Sequence, residues 1–331
     1  MRTEFISTGA YVPPRVVTNA DLAAMMDTND EWIQQRTGIK ERRWVEVPGT
    51  AASDLGVHAA KQALERASLK PEDLDAIIFA TLSPDHYFPG SGVILAAKLG
   101  LKETPALDVR NQCSGFLYSL QVADAWIRAG VYRRILLVGA EVHSCGLDKT
   151  TVGRDVACIF GDGAGAVVLG PTDDDSRGVR SIKLGADGRF ADALWIEGLG
   201  SSQDIIVDQG QIDARKQWPS MEGQKVFKHA VVRMPAVTRA VLETEGLTPE
   251  QLRLFIPHQA NLRISEAAQK SLGLRDDQVF NNIQRYGNTT AASIPLALHE
   301  ALGEGRLNRG EWLALASFGA GFTWGASLIR W

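Results

Sequence analysis

The chain of 331 residues is 45% hydrophobic and 22% charged, which supplies enough apolar side chain for a large core and excludes a mainly disordered polymer. Its formal net charge of −4 gives no general attraction for nucleic acid or an anionic membrane, so an acidic partner has to be met by a local basic patch. Three cysteines, Cys113, Cys145 and Cys158, make neither a disulfide framework nor a CxxC metal site, which fits a reducing compartment.

The opening MRTEFISTGAYVPP is predicted to be a short strand closed by a Pro turn, without the apolar core or cleavage site of a signal peptide. No apolar run reaches membrane-spanning length, so the expectation is a soluble cytoplasmic protein. Next come runs of strand length, DAIIFAT (75–81), GVILAAKLG (92–100), RILLVGA (134–140) and GAVVLG (165–170), separated by stretches of helical spacing. That alternation predicts α/β layering, with helices covering a mostly parallel sheet. PTDDDSRG (171–178) combines Pro, Gly and three consecutive acids and marks a surface junction, dividing the chain into halves 1–172 and 173–331. A repeat supports the division. LKPEDLDAIIF begins at Leu69 and LTPEQLRLFIP at Leu247, 178 positions later, and the same offset carries Cys113 into NTTAASIPLALHEAL, another loop-to-helix start. Two helix ends would then meet at a pseudo-twofold axis.

In ALDVRNQCSGFLYSLQVADAWIRAG a short strand leads into an amphipathic helix with Cys113 at its start. Unpaired N–H groups and the helix dipole favour a thiolate there, lowering a thiol pKa from about 8.5 toward about 3.5–7.5. A lone cysteine is as readily a small buried filler, and on residue type alone nucleophile and filler stay open. Cys145 in a polar loop and Cys158 in the strand-like VACIF read as fillers, and His143–Cys145 lacks further ligands for a metal. FGDGAGAVVLG is not read as a phosphate loop, because its glycines run into a strand instead of opening a helix. Among six histidines, His58, His229 and His299 fall in helical patterns. His258 instead follows the apolar LRLFIP, at the C-terminal end of a strand, where open α/β sheets build their sites. Asn288, in RYGNTTAASIP, sits after a Tyr–Gly turn and before a helix, a place that equally suits an N-cap.

Cys113, His258 and Asn288 with their flanking words resemble β-ketoacyl-acyl-carrier-protein synthase III, the initiating condensing enzyme of bacterial fatty acid synthesis. The resemblance spans NDEWIQQRTGIKERR (29–43), QCSGF (112–116), GRDVACIFGDGAGA (153–166), MEGQKVFKHA (221–230), PHQANLRI (257–264), YGNTTAASIP (286–295) and SFGAGFTWG (317–325). It implies a thiolase-like, five-layered α-β-α-β-α fold of two pseudo-repeated halves, assembled as a homodimer, with no permanently bound cofactor. It implies acyl-CoA and malonyl-acyl carrier protein as substrates: Cys113 takes the acyl group, then His258 and Asn288 assist loss of CO₂ and condensation. The backbone N–H groups of Cys113 and Ala320 would hold the oxyanion, Ala320 standing where the family often has glycine. The resemblance further implies a CoA clamp of Trp32, Arg36 and Arg154, a pantetheine contact at Asn261, a carrier-protein patch of Lys228, Arg263 and Lys270, and a residue, Phe88, reaching the partner subunit's acyl pocket. Relatives in secondary metabolism, head-to-head condensing enzymes and O- or N-acyltransferases share the acyl-cysteine step. A degradative thiolase is disfavoured because SFGAGFTWG supplies no second cysteine, and an inactive scaffold because the Cys–His–Asn set is intact.

Overall fold

The computed structural model describes residues 1–331. Nine strands form two sheets: β1 (Arg2–Tyr11), β2 (Ala76–Ala80), β3 (Ala106–Val109), β4 (Ile135–Glu141), β5 (Gly163–Thr172), β6 (Gly178–Ala186), β7 (Leu254–Pro257), β8 (Trp312–Gly319) and β9 (Thr323–Arg330). The principal helices are α1 (Asp30–Thr37), α2 (Ala52–Arg66), α3 (Ser91–Lys98), α4 (Gly115–Arg128), α5 (Gly223–Glu243), α6 (Leu262–Leu272) and α7 (Ser293–Gly303). No helix is long and apolar enough to cross a membrane.

Successive strand side chains point to opposite faces, and this period of two builds the layers. Ala76 and Ile78 of β2 and Ile135 and Leu137 of β4 join a central core with Phe116 and Leu120 of α4 and Ile294 and Leu298 of α7. Their neighbours Ile77, Phe79, Leu136 and Val138 face the other way, onto α2 and α3. In the second sheet Leu254, Ile256, Leu313 and Leu315 enter the central core, while Phe255, Ala314 and Ala316 pack under α5 and α6. The result is five layers: helices, sheet, the α4–α7 pair, sheet, helices.

The first sheet has the order β1-β5-β4-β2-β3, and the second, β6-β9-β8-β7, repeats its first four positions. An isolated parallel bridge between Phe255 and Val279 stands where the first half has its fifth strand. Only β2–β3, β2–β4 and β7–β8 are parallel; β1–β5, β4–β5, β8–β9 and β6–β9 are antiparallel. The sheets are therefore mixed, not mostly parallel. A strand covered on both faces reads as one apolar run whichever way its neighbour points, so direction was hidden.

Two predicted strand-like runs are helical, one of them only in part. GVILAAKLG forms most of α3, whose first N–H groups, on Ser91 and Gly92, are held by the Asp108 carboxylate at 2.6 and 2.8 Å. VACIF only begins in a helical turn, Arg154–Ala157, and ends at Phe160 in an isolated bridge to Asn288. The glycines of GDGAGA do run into a strand, and Gly165 lies where a Cβ would press on Pro295 and on the Leu296 nitrogen at 2.8 Å.

The repeat holds in three dimensions. Each copy has a 3₁₀ turn, Pro71–Asp73 or Pro249–Gln251, before its strand. Each also has a 3₁₀ turn before its central helix, Gln112–Ser114 before α4 and Thr290–Ala292 before α7. Both of these begin in the left-handed region, Gln112 at φ 43° and Thr290 at φ 47°. For side chains other than glycine this costs roughly 1–2 kcal/mol each, most of all for a β-branched threonine.

Candidate active site

Cys113 follows the strained Gln112 and ends up buried, 6% exposed, against the end of β8. Gly319 leaves the room: a Cβ there would stand 2.9 Å from Cys113 Sγ. Ser317 Oγ donates to the Cys113 carbonyl at 2.7 Å and ties the two halves together. The backbone N–H groups of Ala320 and of Cys113 itself favour the thiolate and pull the pKa down. Burial is stronger, and with the nearby Glu141 it pushes the thiol up to about 12. Burial thus opposes the lowering expected from the helix start, and the balance favours the neutral thiol.

His258 follows β7 and is 1% exposed. Its N–H donates to the Ala316 carbonyl of β8 at 2.7 Å, and its Nδ1 lies 2.6 Å from Ser293 Oγ, at the start of α7. Nε2 has no partner inside the protein. Burial pushes the imidazole down to about 3, so the ring is neutral. Asn288 is pinned by its backbone, donating to Ile159 O at 2.9 Å and accepting from Gly161 N–H at 3.1 Å. Its Oδ1 accepts the Thr290 N–H at 2.8 Å, which leaves Nδ2 as the free end of the amide. Asn288 is not the N-cap of α7; Ala292 holds that position. Cys113 and His258 are thus joined through β8, and His258 and Asn288 through the 288–293 segment. The protein has no group of three or more His, Cys, Asp and Glu able to hold a metal ion.

Trp32 lies on α1, which Asn29 caps by accepting the Trp32 N–H at 2.8 Å. The Arg36 guanidinium carbon is 4.3 Å and that of Arg154 5.2 Å from the Trp32 ring centre, so two cations flank one indole. Asn261 caps α6, accepting from Arg263 N–H at 2.9 Å, and donates to Arg36 O at 2.8 Å. Lys228 on α5 and Arg263 on α6 are exposed and have no carboxylate within 4.0 Å, with Arg263 lying over Phe227 at 5.6 Å. Lys270 is likewise exposed but sits two turns further on, in the last turn of α6. Phe88 is 80% exposed on the loop between β2 and α3, beside Tyr87.

Sequence reasoning missed the supports of this site. Ser293 and Thr290 lie within a run of small residues that gives no sign of which hydroxyl faces the histidine. Glu141 carried a signal, an acid ending the apolar strand RILLVGA. Buried, it accepts from Thr81 Oγ1 at 3.0 Å, Ser83 Oγ at 2.6 Å and the N–H groups of Leu82 and Ser83, and burial raises it to about 7. It thereby holds the start of the loop that carries Phe88.

Residues 107–188 match the family described as 3-oxoacyl-[acyl-carrier-protein] synthase III, and residues 242–331 match its C-terminal counterpart. The chain is 45% identical to a β-ketoacyl-[acyl-carrier-protein] synthase III of Caldanaerobacter subterraneus subsp. tengcongensis, over 98% of this chain and 97% of that one. Among solved structures, the enzyme of the same name from Thermus thermophilus has a TM-score of 0.91 and 44% identity, with 99% of each chain covered. That of 3-oxoacyl-[acyl-carrier-protein] synthase III from Aquifex aeolicus gives 0.90 and 42%, over 99% of this chain and 100% of that one.

Proposed function

The chain belongs to the β-ketoacyl-[acyl-carrier-protein] synthase III family, and from that membership we propose how its residues carry out the reaction. The enzyme is a condensing acyltransferase that joins an acyl primer to a malonyl group with loss of CO₂, the initiating step of fatty acid synthesis. Cys113 is the acyl acceptor, with acyl-CoA as donor. Its sulfur bonds the acyl carbon, the bond from that carbon to the CoA sulfur breaks, and the thiol proton ends on the departing CoA. Because the thiol is neutral at rest, the proton leaves as the new bond forms, and the N–H groups of Cys113 and Ala320 hold the oxyanion.

In the second stage the malonyl thioester on acyl carrier protein loses CO₂ and its electron pair moves onto the thioester oxygen. His258 Nε2–H and Asn288 Nδ2–H stabilise that charge. The carbanion then attacks the acyl carbon, and the tetrahedral adduct collapses to expel the Cys113 sulfur as thiolate, which takes up one proton from solvent. The observation that carries this reading is the pair of side-chain donors without protein partners, His258 Nε2 and Asn288 Nδ2, each held from behind. A neutral ring suits the task because it donates a hydrogen bond and keeps its proton.

Trp32, Arg36 and Arg154 are proposed to grip the adenine and phosphate end of CoA, and Asn261 to meet the pantetheine. Lys228 and Arg263, with Lys270 at the edge, form the patch for the acidic carrier protein. The exposed Phe88 supports a homodimer in which this loop reaches the partner's acyl pocket, and three free thiols support a cytoplasmic location. Asn288→Ala separates the stages. The variant is expected to form the acyl-enzyme, seen by intact mass, while CO₂ release from labelled malonyl carrier protein falls about 10²–10³-fold. Unimpaired CO₂ release removes the role given to Asn288.

A further inference from the structure

We propose that Ser293 is a positioning residue that fixes His258 in the tautomer protonated on Nε2. Ser293 is the first residue of α7, and its hydroxyl contacts two groups, His258 Nδ1 at 2.6 Å and the Gln259 N–H at 3.4 Å. The amide can only donate, so Ser293 Oγ accepts there. With Nδ1 protonated, Oγ would accept twice and its own proton would have no acceptor; Nε2 lacks a protein partner in either tautomer and does not decide between them. With Nε2 protonated, the hydroxyl donates to Nδ1 and every group behind the ring is satisfied, so hydrogen-bond completeness selects one tautomer. The ring cannot readily turn away, since the His258 backbone is held on β8 through Ala316 and its side chain is enclosed. What remains unpaired is the Nε2–H, the group given the decarboxylation role above. The consequence for rate rests on that role; the tautomer itself does not.

The test uses the intact enzyme labelled with ¹⁵N-histidine at pH 7, with the His258 signals identified by their loss in His258→Gln. Wild type is expected to show a protonated Nε2 and an unprotonated, hydrogen-bonded Nδ1. In Ser293→Ala the Nδ1 signal should lose that hydrogen bond and the two tautomers should mix. CO₂ release from malonyl carrier protein should fall roughly 10- to 100-fold, the range known for partners that orient metal-bound histidines, mainly in kcat. Acyl-enzyme formation should persist, and Ser293→Thr, which restores a hydroxyl, should recover the Nε2–H signal. A wild-type His258 protonated on Nδ1, or a tautomer unchanged in Ser293→Ala, overturns the proposal. A shifted tautomer with undiminished CO₂ release upholds Ser293 and instead overturns the role of His258.

Discussion

Cys113 shows how two effects at one residue are ranked. Its rise from the ordinary 9.0 to about 12 corresponds to about 4 kcal/mol against the thiolate, while a helix end returns about 0.3–1 kcal/mol, or about 2 in partly buried sites. Burial wins, and the sequence could not reveal it, because QCSGF tells that a helix starts but not that β8 closes over the sulfur. The sign follows: the folded chain holds this proton more tightly than the unfolded one, so the contribution to stability is intact below pH 9 and is lost as pH rises toward 12. Reactivity follows too. In a Cys145→Ser background, which removes the exposed thiol, alkylation of Cys113 by iodoacetamide is expected to climb about tenfold per pH unit from pH 6 to pH 9. A plateau below pH 8, followed by intact mass, contradicts a raised thiol. His258 and Asn288 were readable as residues at a strand end and a helix approach. Their aim was not, since it depends on Ser293 and on the Thr290 N–H.

At the scale of elements, the two helix starts lock into each other's halves. Gly319 of β8, in the second half, abuts Cys113 of the first, and Gly139 of β4, in the first, abuts Ala291 of the second, where a Cβ would stand 2.8 Å from its carbonyl carbon. Matching strand positions make room for opposite helices, as a pseudo-twofold axis requires. The offset between Leu69 and Leu247 made this pairing legible, because PEDLDAIIF and PEQLRLFIP build the same turn and strand. The left-handed Gln112 and Thr290 were not legible, since neither residue type announces a positive φ. Gly319→Ala places a methyl group against Cys113, so a stability loss of about 1–3 kcal/mol and severe loss of acyl-enzyme formation are expected. Gly303→Ala, at the end of α7 with open space around it, serves as the control and should stay within about 0.5 kcal/mol of wild type. Denaturant midpoints together with acylation rates check both, and normal acylation in Gly319→Ala contradicts the close approach.

At the scale of the molecule, the five layers place Cys113 from one half and His258 and Asn288 from the other inside the central seam. Trp32, Arg36, Arg154, Arg263 and Lys228 lie outside it. A small apolar cluster that includes Leu22, Ile33, Trp44, Val156 and Ile283 holds the Trp32 helix to the second half of the chain. The α/β alternation was legible from the apolar runs and the five layers only from the family resemblance, whereas strand direction and the helical nature of GVILAAKLG depended on tertiary partners. The central claim is that Cys113 carries the acyl group between the two stages, and intact-protein mass spectrometry tests it most directly. Incubation with a panel of acyl-CoAs should add one acyl mass at Cys113, and malonyl carrier protein should then return the enzyme to its starting mass while β-ketoacyl carrier protein appears. Cys113→Ser should show neither event. An acyl group on another residue, or a Ser variant that condenses at near wild-type rate, contradicts the claim.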